Sequence, residues 1–235
     1  MRPAHLKAVV VFVLLTFMLA SCAPLPPPGT PLTAEDRRAA QNSCMAQYTA
    51  VGAAGGALLG AVIGGRHALG GALAGAAVGG TLAFALAWGH CLSMYSNLNS
   101  YPMADARQTA QKIRYIPTQG NLTKIESFTI NPVDIGPGGT VSLTASYYIM
   151  APEGIGDIAV IETRSLFFLD ISDNKWKDLG TVSQEITTAP GTRMANGLFD
   201  IPQDAPDGRY AITLKVAALD REDSSTQYLN VRRGR

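Results

Sequence analysis

The chain has 235 residues, with 19 Lys+Arg against 18 Asp+Glu and 47% hydrophobic residues. That balance lacks the basic footprint that phosphate backbones require, so nucleic acid is not an expected partner. Ala, Gly and Leu crowd the part before residue 92, and acidic residues outnumber basic ones from Pro117 onward, so two regions of different character share one chain.

Residues 1–24 begin with Arg2 and Lys7, continue in an apolar run from Ala8 to Ala20, and end in Leu19-Ala20-Ser21-Cys22. The positive start and apolar run are those of a secretory signal, which is removed. Leu-Ala-Ser-Cys resembles a bacterial lipobox. The resemblance implies cleavage before Cys22, diacylglycerol on its thiol and acylation of the new amino terminus. Ala23, where Asp is absent, goes in such lipoproteins with transport to the outer membrane. Two or three acyl chains, at about 0.8 kcal/mol per buried methylene, make a stable anchor. From Pro24 to Leu32 proline is too frequent for a helix, which predicts an extended spacer. Thr33 then offers an N-cap hydroxyl, with Glu35 and Asp36 in the first turn of a helix running through Cys44 towards Tyr48.

Glycine recurs every fourth residue between Val51 and Trp88, first at Gly52, Gly56, Gly60 and Gly64, then at Gly71, Gly75 and Gly79, with Arg66-His67 between the runs. In a helix, residues four apart share a face, so each run carries a glycine stripe that lets another backbone approach closely. The pattern predicts a tight helical hairpin. Neither Thr49–Gly65 nor Ala68–Gly89 carries a charge; the second is long enough to cross a hydrocarbon core of about 30 Å and the first is borderline. Membrane insertion is the expectation, and a soluble hairpin packed against a partner stays open beside it. Leu58, Leu59, Val62, Ile63, Leu73, Val78 and Phe84 argue against a flexible linker.

Cys44 and Cys91 lie at similar distances on either side of Arg66-His67, so folding there brings them level. A disulfide is expected in an exported chain, and closing such a loop is worth about 4 kcal/mol in the chain-entropy model. A metal site built from Cys44, His90 and Cys91 competes with it, but lacks a recognised ligand spacing. Trp88, His90 and Tyr95 beside Cys91 suit either a membrane interface or ordinary core contacts.

From Ser93 to Ser100 polar residues read as breakers, and Pro102 to Tyr115 reads as a short amphipathic helix with Ala106, Ala110 and Ile113 on one face. Beyond Pro117 the period changes to two. Strands are predicted at Leu122–Ile130, Thr140–Met150, Ile158–Leu169, Lys175–Leu179, Val182–Thr188, Met194–Ile201, Arg209–Leu219 and Thr226–Arg232. Turn signals fall between them, among them Asp173-Asn174, Pro206-Asp207-Gly208 and Arg221-Glu222-Asp223. The pattern predicts an antiparallel sandwich. Trp176 is expected in its core. Asp170, Asp173, Glu222 and Asp223 are expected as solvated turn residues.

Phe199-Asp200-Ile201-Pro202-Gln203-Asp204-Ala205-Pro206-Asp207-Gly208-Arg209-Tyr210 resembles the segment entering the penultimate strand of bacterial immunoglobulin-like domains. That resemblance implies a corner with Tyr210 tucked beneath it. No nucleophile motif, phosphate loop or paired histidines appear, and the three histidines are scattered at His5, His67 and His90. No catalytic residue, metal or cofactor is therefore expected. The lipobox and glycine stripes together resemble the glycine-zipper outer-membrane lipoproteins, a group that includes the seventeen-kilodalton surface antigen type. That resemblance implies an acyl-anchored, self-associating membrane protein, with a larger C-terminal half here than the group would lead one to expect.

The expected fold class is α+β as separate domains, an N-terminal glycine-zipper helical hairpin followed by an antiparallel immunoglobulin-like β-sandwich. The expected divisions are a signal peptide at 1–21, an acylated Cys22 and spacer at 22–32, the hairpin at 33–98, a connecting helix at 99–117 and the sandwich at 118–235. The expected function is a structural or assembly lipoprotein of the bacterial outer membrane that forms a homo-oligomer. A binding subunit docking another envelope protein, with the hairpin only as an anchor, is the alternative.

Overall fold

The structure is a computed structural model that describes residues 26–27, 32–33, 35–48, 87–92, 94, 97–152, 154–171 and 173–234. The expected signal peptide, Cys22, the glycine stripes from Gly52 to Gly79 and the turn at Arg66-His67 lie outside the described residues.

In chain order the elements are α1 (35–48) and α2 (87–92), then β1 (Asn97–Asp105), α3 (Ala106–Ile113), β2 (Leu122–Asn131), β3 (Asp134–Ile135) and β4 (Thr140–Met150). After them come β5 (Ile158–Asp170), β6 (Lys175–Thr188), β7 (Gly191–Asp200), β8 (Gly208–Ala218) and β9 (Arg221–Val231). The strands form two sheets. One has the order β1-β7-β4-β2 with every pair antiparallel. The other has the order β3-β9-β8-β5-β6 and is antiparallel except where the short β3 runs parallel to β9.

Alternation decides which face turns inward. Val141, Leu143, Ala145, Tyr147 and Ile149 of β4 are buried, as are Tyr210, Ile212, Leu214, Val216 and Ala218 of β8, and the two faces meet in one apolar cluster. Both rows agree with the period of two in the sequence. Among the described residues no helix is long and apolar enough to cross a membrane.

Separate helical and β domains are not what forms. The described chain is mostly strand, and its helices are short. Ala40, Cys44 and Met45 of α1 and Ala87, Trp88 and Cys91 of α2 belong to the same buried cluster as both sheets, so these segments complete the sandwich core rather than building one of their own. The apolar residues of both segments are buried against the strands, so the sandwich supplies their apolar partner. The boundary expected at 118 is also corrected. β1 begins at Asn97 and is a full edge strand of the four-stranded sheet, paired to β7 from Asn97↔Leu198 to Asp105↔Gly191.

The helix expected from Pro102 begins only at Ala106. Asp105 is its N-cap, its carboxylate accepting from Gln108 N at 2.8 Å while Gln108 Oε1 accepts from Asp105 N at 3.3 Å. Pro102 sits in β1, where an edge strand with a bulge between Pro102 and Ala104 tolerates its missing N–H. The two strands predicted at 175–179 and 182–188 are one, β6, which passes through Gly180 at φ +146 opposite an irregularity between Leu166 and Phe167. The last turn falls at Leu219-Asp220, with Leu219 at φ 57, so Glu222 and Asp223 lie within β9.

Candidate functional site

The described segments that flank the glycine-rich stretch in sequence, α1 and α2, form a clasp. Thr33 starts α1 as expected, its hydroxyl accepting from Asp36 N at 3.1 Å and donating to Asp36 Oδ2 at 2.7 Å. The predicted disulfide joins Cys44 to Cys91, whose Cα atoms stand 5.8 Å apart and which are wholly buried. His90 is engaged elsewhere, with Nε2 3.0 Å from Tyr48 Oη. The chain thus leaves α1 and re-enters at α2 from neighbouring points.

Trp88 anchors the clasp in the sandwich. Its ring is fully buried, 5.2 Å from Tyr210 in an edge-on arrangement and 6.3 Å from Phe199, and Phe168 continues the stack 5.0 Å beyond Tyr210. Trp88 occupies the core position expected for Trp176. Trp176 instead stands opposite Leu169 on the outer face of β6, 41% exposed and 5.8 Å from the Tyr228 ring, which also lies beneath the Arg209 guanidinium. Tyr210 does tuck under its corner, donating its hydroxyl to Pro206 O at 2.9 Å. Burial, and secondarily the Asp207 carboxylate, pushes its hydroxyl well above the usual tyrosine range.

Backbone meets backbone where α2 crosses β6. A Cβ added to Gly89 would fall on the Leu179 carbonyl, and one added to Gly180 would lie 2.9 Å from the Gly89 carbonyl carbon. Gly89 is therefore a packing glycine that the fourfold spacing did not reveal, since it falls outside the two runs. The available signal was an isolated glycine beside Trp88 and Cys91 in a helical pattern, which usually has a packing reason. On the other side Arg38 of α1 reaches the sheet, its Nε 3.2 Å from Asp200 Oδ1 and its Nη2 donating to Thr140 Oγ1 at 2.8 Å.

A second polar cluster lies between the sheets. Glu162, fully buried, accepts from Tyr147 Oη on one carboxylate oxygen and, on the other, from Arg164 Nη2 at 3.0 Å and Gln184 Nε2 at 2.7 Å. Arg193 donates to Ser100 Oγ at 3.2 Å and to Thr188 Oγ1 at 2.8 Å. Burial first, and the Glu162 carboxylate second, raises Tyr147 far above its ordinary value. With both carboxylate oxygens occupied and no exposure, Glu162 fixes one sheet to the other.

Of the acidic residues expected in solvated turns, Asp173 meets that description and holds Lys177 Nζ at 2.6 Å. Asp223 does not. It accepts from Ile125 N of β2 at 2.9 Å and so bridges the sheets at the irregularity between Ile125 and Ser127. Among the described residues no cluster of His, Cys, Asp and Glu is suited to a metal ion.

Residues 3–85 match the family model of the YMGG-like Gly-zipper. The stretch is a glycine-zipper region. No curated protein matches the sequence. Among solved structures the chain is similar to the alkylpurine DNA glycosylase AlkC of Pseudomonas fluorescens at 11% identity and TM-score 0.38, over 47% of this chain and 30% of that one. It is also similar to the sporulation control protein Spo0M of Bacillus subtilis, at 17% identity and TM-score 0.35, over 48% and 50%. A third likeness is to a CARDB domain from Pyrococcus furiosus, at 13% identity and TM-score 0.31, over 47% and 91%. The chain spans less than two thirds of the first two of these proteins. Likeness at this level carries no argument about activity.

Proposed function

We propose that the protein is a structural or assembly lipoprotein of the bacterial outer membrane, anchored through an acylated Cys22, that self-associates through its glycine-zipper region and carries the sandwich as a binding module for another envelope protein. The observation behind this reading is the clasp. The described segments on either side of the glycine-rich run, α1 and α2, are joined by the Cys44–Cys91 disulfide, and α2 is fixed to the sandwich by Trp88 and Gly89. Such a junction transmits position between an associating segment and a rigid β unit. A disulfide of this kind also suits an oxidising, extracytoplasmic compartment.

Two measurements test it. Mass spectrometry of the mature chain should find acyl groups on Cys22, and an unmodified amino terminus elsewhere removes the anchor. Gly60→Leu and Gly75→Leu should dissociate the detergent-solubilised oligomer. An intact oligomer in both variants rejects self-association and leaves the glycine-zipper region as an anchor for a docking sandwich.

A further inference from the structure

We propose that the clasp end of the sandwich docks on a phospholipid bilayer through the tip of the β5–β6 hairpin and the aromatic side chains beside it. At that tip Ile171 is 89% exposed, the most exposed large apolar side chain among the described residues. Trp176 and Tyr228 follow on the outer face of the same sheet, 41% and 44% exposed with ring centroids 5.8 Å apart, and the Arg209 guanidinium lies over Tyr228 at 4.2 Å. An aliphatic tip beside a tryptophan, a tyrosine and a basic side chain suits the layered chemistry of a bilayer surface. Amphipathic rings rest at the headgroups, a basic stem lies along them with its charge in water, and the apolar tip enters below.

Position and tether name the occupant. β5 and β6 close their ladder at Asp170↔Lys175, at the end of the sandwich where Phe168 meets Tyr210 and Tyr210 meets Trp88 of α2. Arg38 of α1 is held there too, by Asp200 next to Phe199, whose ring also faces Trp88. Eleven residue steps separate Cys22 from Thr33 at the start of α1. An acylated Cys22 therefore keeps this end within about 40 Å of the bilayer, even at full extension. The tether rests on the lipoprotein reading, whereas the patch does not.

Charge agrees with a lipid surface rather than an ionic partner. Around the tip Lys175, Lys177 and Arg209 balance Asp170, Asp173 and Asp178, and Lys177 is bound to Asp173 at 2.6 Å. With no net charge there, attraction falls to the apolar area of Ile171, Trp176 and Tyr228, which a zwitterionic surface accepts.

The full chain, reconstituted in vesicles of phosphatidylcholine brominated along the acyl chains, tests the docking through its two tryptophans. Trp88 is fully buried, so quenching should fall on Trp176 and should be missing from Trp176→Phe. Ile171→Asp should lower the ratio of docked to undocked chains about tenfold, the scale for burying one large aliphatic side chain, and so restore Trp176 emission. Because Ile171 is exposed, the thermal midpoint of that variant should equal that of the parent chain. Flotation on a density gradient reports the tether separately. A chain that floats while Trp176 stays unquenched overturns the docking and leaves the anchor standing, and a chain that does not float overturns both. Quenching in a chain whose Cys22 carries no acyl group upholds the docking and rejects only the anchor. Quenching undiminished in Ile171→Asp overturns the docking, and so does a Trp176 unquenched by bromine yet shielded from acrylamide, as a protein cover would shield it.

Discussion

Under the clasp, Trp88, Phe168, Phe199 and Tyr210 meet ring to ring in the same cluster as the Cys44–Cys91 disulfide, whereas between the sheets Tyr147, Glu162, Arg164 and Gln184 bring charge into that same core. The first arrangement is held by volume and a covalent link. The second depends on every partner being present. An apolar contact weakens in proportion to the surface it loses, while a buried ion pair fails when either member is removed, because the remaining charge has no solvent to return to.

The largest expected effect tests that asymmetry. Arg164→Met leaves the fully buried Glu162 carboxylate without its cation and should cost about 3–5 kcal/mol. Adding Glu162→Gln to the same chain removes the stranded charge, keeps an acceptor for Tyr147, and should recover most of the loss. Urea unfolding of the two single variants and the double variant measures the coupling. Additive losses would show that the pair does not act as a unit.

On the apolar side, Trp88→Ala should cost about 3–5 kcal/mol through the cavity it opens. Trp88→Phe should cost much less, since most of the ring stack is kept. Both values come from thermal unfolding, and equal losses would mean that ring volume is not what anchors α2. Removing the covalent link by Cys44→Ala with Cys91→Ala releases a loop of sequence separation 47. Chain entropy sets about 4 kcal/mol as the scale of that loss. Here limited proteolysis adds a location, with new cleavage expected at α1 and α2 before the strands.

The strands were legible from period two, because β4 and β8 each have one face in the core and one outside, and a register slip would invert both. The disulfide was expected of Cys44 and Cys91 in an exported chain and is present, while the turn at Arg66-His67 invoked to bring them level lies outside the described residues. β1 was not, since Asn97, Asn99 and Pro102 carry the residue signals of a break and only an edge position next to β7 makes them a strand. Trp176 was misplaced in the core, and Trp88 left open between interface and core, for a similar reason. Both lie near apolar runs, and only tertiary packing decides that the α2 ring fills the core while the β6 ring faces outward. Arg38 and Asp200 are remote in sequence, and neither sits in a motif that announces the other. The two-domain reading failed because composition changes along the chain, while the buried cluster joins α1 and α2 to the strands regardless.

The smallest effects separate the two buried tyrosines, one on each side of the comparison. Tyr147→Phe removes a donor to the Glu162 carboxylate and should cost about 1.5–3 kcal/mol, the range for hydrogen bonds to charged groups, whereas Tyr210→Phe loses a bond to the Pro206 carbonyl and should cost about 1 kcal/mol. Both hydroxyls have a folded-state pKa raised above the ordinary value of 10.0, chiefly by burial. The folded chain therefore holds these protons more tightly than the unfolded chain. Their contribution to stability is fully present below about pH 10 and declines as pH rises above it. Absorbance of tyrosinate should consequently grow in two stages, the exposed rings first and these two only with unfolding. Tyr147→Phe should flatten the alkaline fall in stability, and so should Tyr210→Phe. Ionisation of both rings in step with the exposed ones would mean that neither side of the core excludes water as the packing requires.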